Sequence, residues 1–117
     1  MKLRIHDDSL RLRLTRGEVE DLSRGLAVER TVHFPGGRAL RYVVTGSAAV
    51  AGPQAVYSGD AIRVSLPQAG VIAWAAGDEA GIEGQDGPIR ILVEKDFQCL
   101  HRDAAAEPDA FPNPLAE

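Results

Sequence analysis

The sequence predicts an α+β fold: a mostly antiparallel, barrel-like sheet of about eight short strands with two short helices on one face. Three observations point there. Apolar residues alternate with polar ones at period two through much of the chain, the pattern of half-buried strands. Only two segments carry helical apolar spacing, and both are short. The order strand–strand–helix–strand–strand then runs twice, over residues 1–50 and 53–97, and leaves a C-terminal strap over 98–117.

The first strand alternates Leu3 and Ile5 with Arg4, and Asp7-Asp8-Ser9 supplies turn chemistry. Leu10, Leu12 and Leu14 alternate with Arg11 and Arg13 in the second. Thr15 and Glu18 have the spacing of a capping box, in which each side chain takes the other's amide. Val19 and Leu22 form a short apolar stripe behind it, and Gly25 is a helix stop. Two strands follow over 26–34 and 40–45, joined by the turn Pro35-Gly36-Gly37.

The same order recurs at a constant offset of 52 residues. Ile62, Val64 and Leu66 stand where Leu10, Leu12 and Leu14 stood. Pro67 takes the place of Thr15, Val71 and Trp74 those of Val19 and Leu22, and Gly77 that of Gly25. Ala55, Tyr57 and Asp60 extend the match back onto Leu3, Ile5 and Asp8. After Gly77 it needs a small deletion, yet 82–85, the turn Asp86-Gly87-Pro88 and 89–94 still read strand, turn, strand. This is the pattern of a duplicated unit. Trp74, at the apolar phase of the second helix, is expected in the core. Beyond it the strap holds Phe111 as an anchor, with Pro112 and Pro114 excluding helix and central strand.

Composition bounds the function. The 117 residues suit one domain spanning 1–117, and 44% hydrophobic with 26% charged residues is ordinary globular usage. One cysteine excludes a disulfide framework and a Cys-rich zinc module. No apolar run is long enough for a membrane span, and the N-terminus lacks the apolar region of a signal peptide, so a cytoplasmic location is the default expectation. The net charge of −4 divides into +3 over residues 1–66 and −7 over 67–117, which predicts a polarised surface. An isoelectric point near 5.3 argues against a nucleic-acid partner.

The segments SLRLRLTRGEVEDL, ILVEKDFQCL and DAFPNP resemble an uncharacterised bacterial family of short proteins, along the full length of the chain. That resemblance implies a small single-domain bacterial protein without an assigned activity, and brings no catalytic residues. In architecture alone, a strand–helix–three-strand unit duplicated into an eight-stranded barrel is similar to the CYTH-type triphosphate tunnel phosphatases. Those enzymes line a barrel with charges that grip a triphosphate and a divalent metal. Their first strand carries Glu-x-Glu-x-Lys; here Lys2-Leu-Arg4-Ile-His6 sets basic residues where the acids stand.

Six arginines form the leading candidate site. Arg4, Arg11, Arg13, Arg41, Arg63 and Arg90 all stand at the polar phase of expected strands, so one sheet would present them on one surface. Their planar forks suit carboxylate or phosphate oxygens, and Glu29, Glu83 and Glu94 at similar phase would balance charge or hold a metal. The same alternation is also what the solvated face of an antiparallel sheet carries. His6, His33, Cys99 and His101 lack zinc-site spacing and read as ordinary histidines and a packed cysteine, so neither metal nor cofactor is expected. No nucleophile–base order, phosphate loop or dinucleotide fingerprint is present. The expected function is therefore a small non-enzymatic binding or interaction protein with a protein partner or small anionic ligand, homo-oligomeric through exposed strand edges. The alternative is a phosphate-ester or polyanion-binding barrel using the arginine face.

Overall fold

The alternating segments become eight strands and the two helical segments two helices in a computed structural model, which describes residues 1–97. The first unit runs β1 (Lys2–His6), β2 (Ser9–Leu14), α1 (Arg16–Ser23), β3 (Val28–His33) and β4 (Ala39–Ser47). The second runs β5 (Gln54–Ser58), β6 (Ala61–Pro67), α2 (Gln68–Ala76), β7 (Gly81–Asp86) and β8 (Ile89–Lys95). Leu26, expected in the third strand, is exposed ahead of it, and Pro35–Gly37 forms a turn of 3₁₀ helix. The expected strap, with Cys99, His101 and Phe111, lies outside the described residues.

The strands form two mixed four-stranded sheets, ordered β1-β2-β8-β7 and β3-β4-β6-β5. This corrects the single barrel-like sheet. Among the described residues no ladder joins the two sheets, so no closed barrel forms and no tunnel of the triphosphate-phosphatase kind encloses the arginines. The hairpins are antiparallel, but β2 pairs with β8, and β4 with β6, in parallel. The cause is the path of the chain. Each helix carries it from one sheet to the other, so the opening hairpin of each unit pairs with the closing hairpin of the other.

The registers correspond across the units. Leu10 stands beside Ile91 and Leu12 beside Val93, as Ile62 stands beside Tyr42 and Val64 beside Val44. Opening hairpins correspond at an offset of 52 residues and closing hairpins at 49. Inward-facing Leu12, Leu14, Ile91 and Val93 of one sheet meet Val44, Val64 and Leu66 of the other. Val19, Leu22, Val71 and Trp74 from the helices complete the same cluster. The helices pack on each other at one end of the sheets, and the turns of all four hairpins stand at the other.

The predicted capping box forms: Thr15 Oγ1 accepts from the Glu18 amide at 3.3 Å, and Glu18 Oε1 accepts from the Thr15 amide at 2.8 Å. Helix α2 opens on Pro67 without a side-chain cap. Its first residue serves α1 instead, for Gln68 Nε2 donates to the Leu22 and Ser23 carbonyls at 3.4 and 3.5 Å. Gly46 makes room for it: a Cβ there would stand 1.7 Å from Gln68 Oε1. At the end of α2, Lys95 Nζ donates to the Gly77 carbonyl at 2.8 Å and sits 5.9 Å from the centre of the Trp74 ring. No helix of the described residues is long and apolar enough to cross a membrane.

Candidate functional site

The six arginines divide between two surfaces. Arg4, Arg11, Arg13 and Arg90 stand on the β1-β2-β8-β7 sheet, at the phase opposite its core residues, and Arg41 and Arg63 occupy the same phase of the other sheet. The single shared surface expected from the sequence therefore does not form, because the chain builds two sheets whose apolar faces meet. Arg90 is engaged with Glu83 at 3.1 Å. Arg4, Arg11 and Arg13 do come together, and with Lys2 and Leu3 they line a hollow of about 250 Å³.

One carboxylate organises that hollow. Register sets Arg13 beside Glu94 and Arg11 beside Leu92. Arg11 Nε and Arg13 Nε both donate to Glu94 Oε1, each at 2.7 Å. Burial pushes the Glu94 carboxyl up, but the two arginine hydrogen bonds and their charges outweigh it and hold it below its ordinary value of 4.5. Lys2 Nζ stands 3.5 Å from Asp96, and Arg4 has no ion pair among the described residues.

A second feature escaped the sequence reading. At the turn end the inward-facing side chains of the two sheets are not covered, and they line an apolar cleft of about 410 Å³. Its lining pairs equivalent positions of the two units: Ile5 with Tyr57, Leu10 with Ile62, Ile89 with Leu40. Tyr57 is 71% exposed and Ile5 59% exposed. Leu40 and Tyr57 also line a neighbouring hollow of about 460 Å³ with Phe34, Pro35, Arg38 and Asp60, where Arg38 Nη2 donates to both Asp60 oxygens at 3.0 and 3.1 Å. Strand alternation marked these residues as inward-facing but carried no sign that the sheets leave them open.

The remaining candidates stay apart. His6 is exposed and 3.6 Å from Asp7, His33 ends β3 exposed, and no group of described residues could hold a metal ion. Glu29 is exposed on β3. A larger hollow of about 740 Å³ at the helix end mixes Arg16, Lys95, Glu20 and Asp96 with apolar side chains and gathers no charge of one sign.

Among comparisons with known proteins, the model of a family of unknown function, DUF7009, matches residues 1–115. No curated protein and no solved structure matches the chain.

Proposed function

This chain belongs to DUF7009, a family of unknown function, and on that premise we propose that it is a non-enzymatic interaction protein built by duplication of one unit, whose apolar cleft receives a second copy of the chain. The observation that carries the reading is the cleft itself. Apolar surface this concentrated marks an interaction site, since an isolated soluble protein gains nothing by wetting it. A small molecule in the cleft would leave Phe34, which lines only the neighbouring hollow, in water, whereas a protein surface covers both hollows together.

The turns around the cleft favour a second copy. The β1–β2 turn carries Asp7 and Asp8, while the β3–β4 connection carries Arg38, which is exposed and paired with Asp60 of the β5–β6 turn at 3.0 Å. In the proposed two-fold contact across the turn end, Asp7 and Asp8 of each copy meet the other's exposed Arg38. Matched registers and paired cleft residues support the duplication. Sedimentation equilibrium over micromolar to millimolar concentrations tests the reading: a concentration-dependent dimer is expected. Tyr57→Asp should abolish it, because the new carboxylate would have to be buried unpaired. A chain that remains monomeric throughout, or a dimer indifferent to Tyr57→Asp, overturns it.

A further inference from the structure

The helix end of the molecule carries an inference independent of the cleft. We infer that residues 98–117 of the same chain dock over the hollow of about 740 Å³ and the outer face of α2, with Phe111 entering the hollow. The ends of the two helices differ. At the end of α1, Gln68 occupies the room that Gly46 leaves and reaches the Leu22 and Ser23 carbonyls. The equivalent residues at the end of α2 are Arg16 and Lys95, at offsets of 52 and 49. There, among the described residues, a hollow remains, walled by Leu14, Val19 and Ala75.

The outer faces of the helices differ as well. Ala69, Ile72, Ala73 and Ala76 recur at the spacing of one helix face, and all are exposed, Ile72 by 51%. The equivalent positions of α1 are Gly17, Glu20, Asp21 and Arg24, a face built for water. Helix α2 carries no charged residue, and a helix without a polar face is normally a covered one. Ile72 neighbours Ala75 one turn on, so the apolar face runs into the wall of the hollow.

The place where the described chain ends selects the occupant. Strand β8 ends beside α2, where Lys95 holds the Gly77 carbonyl, and Phe97, 61% exposed, lines the hollow. Twenty residues follow, Leu100, Phe111 and Leu115 among them, and the family match takes in all three. The fourteen residues from Phe97 to Phe111 span up to about 46 Å extended, while α2, at nine residues, is about 14 Å long, so the reach is ample. Phe111 is the only phenylalanine of the segment, and burying such a ring removes about 150–250 Å² from water. A second copy fits this face less well. Four exposed side chains on a nine-residue helix fall far short of the roughly 800 Å² that each partner gives a stable interface. A tethered segment needs less, because its docking is intramolecular.

Nuclear Overhauser spectra of the full chain test the dock. Cross-peaks from the Phe111 ring to the methyl groups of Val19 and Ala75 are expected. Trypsin gives a second readout, since Arg102 is the one cleavage site of the segment. Phe111→Ser, and Ile72→Glu, which copies Glu20 of α1, should each speed cleavage there about tenfold, with the amide spectrum of the sheets unchanged. Absence of the cross-peaks, or cleavage that neither variant alters, overturns the inference. Cross-peaks found only between differently labelled copies also overturn it, because they give the face to a second molecule. Tyr57→Asp, which removes the dimer, should leave the cross-peaks in place, so the two readings fail separately.

Discussion

Glu18 and Glu94 show how a carboxylate is kept charged where water is scarce. Glu18 is 6% exposed, held by the Thr15 amide, Arg30 and the Met1 ammonium. Burial raises its proton affinity, but the hydrogen bonds from Met1 and Thr15 and the Met1 charge outweigh that effect and lower it, as the arginines do for Glu94. Below the ordinary value of 4.5 the unfolded chain takes up protons that both folded carboxylates resist. Their stabilisation is thus complete above that pH and is lost as pH falls through the lower folded values. Urea midpoints measured from pH 7 to pH 3 should fall over that window, and Glu94→Gln should flatten the fall. Trp74 is a residue of the opposite kind, buried with its indole Nε1 unpartnered among the described residues. Trp74→Ala should cost roughly 3–5 kcal/mol in urea unfolding, and Trp74→Phe much less, since no hydrogen bond goes with the indole.

At the scale of elements, local and tertiary causes separate cleanly. The capping box of α1 was legible because Thr15 and Glu18 are three residues apart and need only each other. Thr15→Ala should cost about 1 kcal/mol, read by thermal or chemical unfolding. The Gln68 contact to the end of α1 was not legible, since it spans 46 residues and exists only because the helices meet. The β5–β6 hairpin is again local: Gly59 and Asp60 both adopt positive φ, 57° and 59°, the backbone of a tight two-residue turn. Where β5 and β7 approach, Gly84 leaves room for Pro53, whose ring would lie 2.6 Å from a Cβ at that position. Neither backbone nor ring can yield cheaply. Gly84→Ala should destabilise the chain by about 1–3 kcal/mol, the usual range for overpacking, and a changed urea midpoint would read it.

For the whole molecule, the exchange of hairpins between sheets is the governing fact. Neither unit holds a complete sheet, and an isolated two-stranded hairpin is marginal in water. A fragment of residues 1–50 should therefore lack dispersed amide resonances, while the full chain shows them. The same exchange reshapes the charge asymmetry. The basic β1–β2 hairpin lies against the acidic second unit, so Arg11 and Arg13 meet Glu94, and Lys2 meets Asp96, across the seam.

The sequence by itself determined what depends on near neighbours: strand phase, two short helices, the capping box, the turns and the repeated order of elements. Period-two alternation tells which side chains of a strand turn away from the core, and it did so for all six arginines. The tertiary structure alone decided which hairpin pairs with which, because alternation is blind to a strand's partner and direction. That choice made two sheets instead of a barrel and sent Arg41 and Arg63 away from Arg4, Arg11 and Arg13. It also left Ile5, Tyr57 and Leu40 at an open mouth, for closure there depends on how two sheets meet across space.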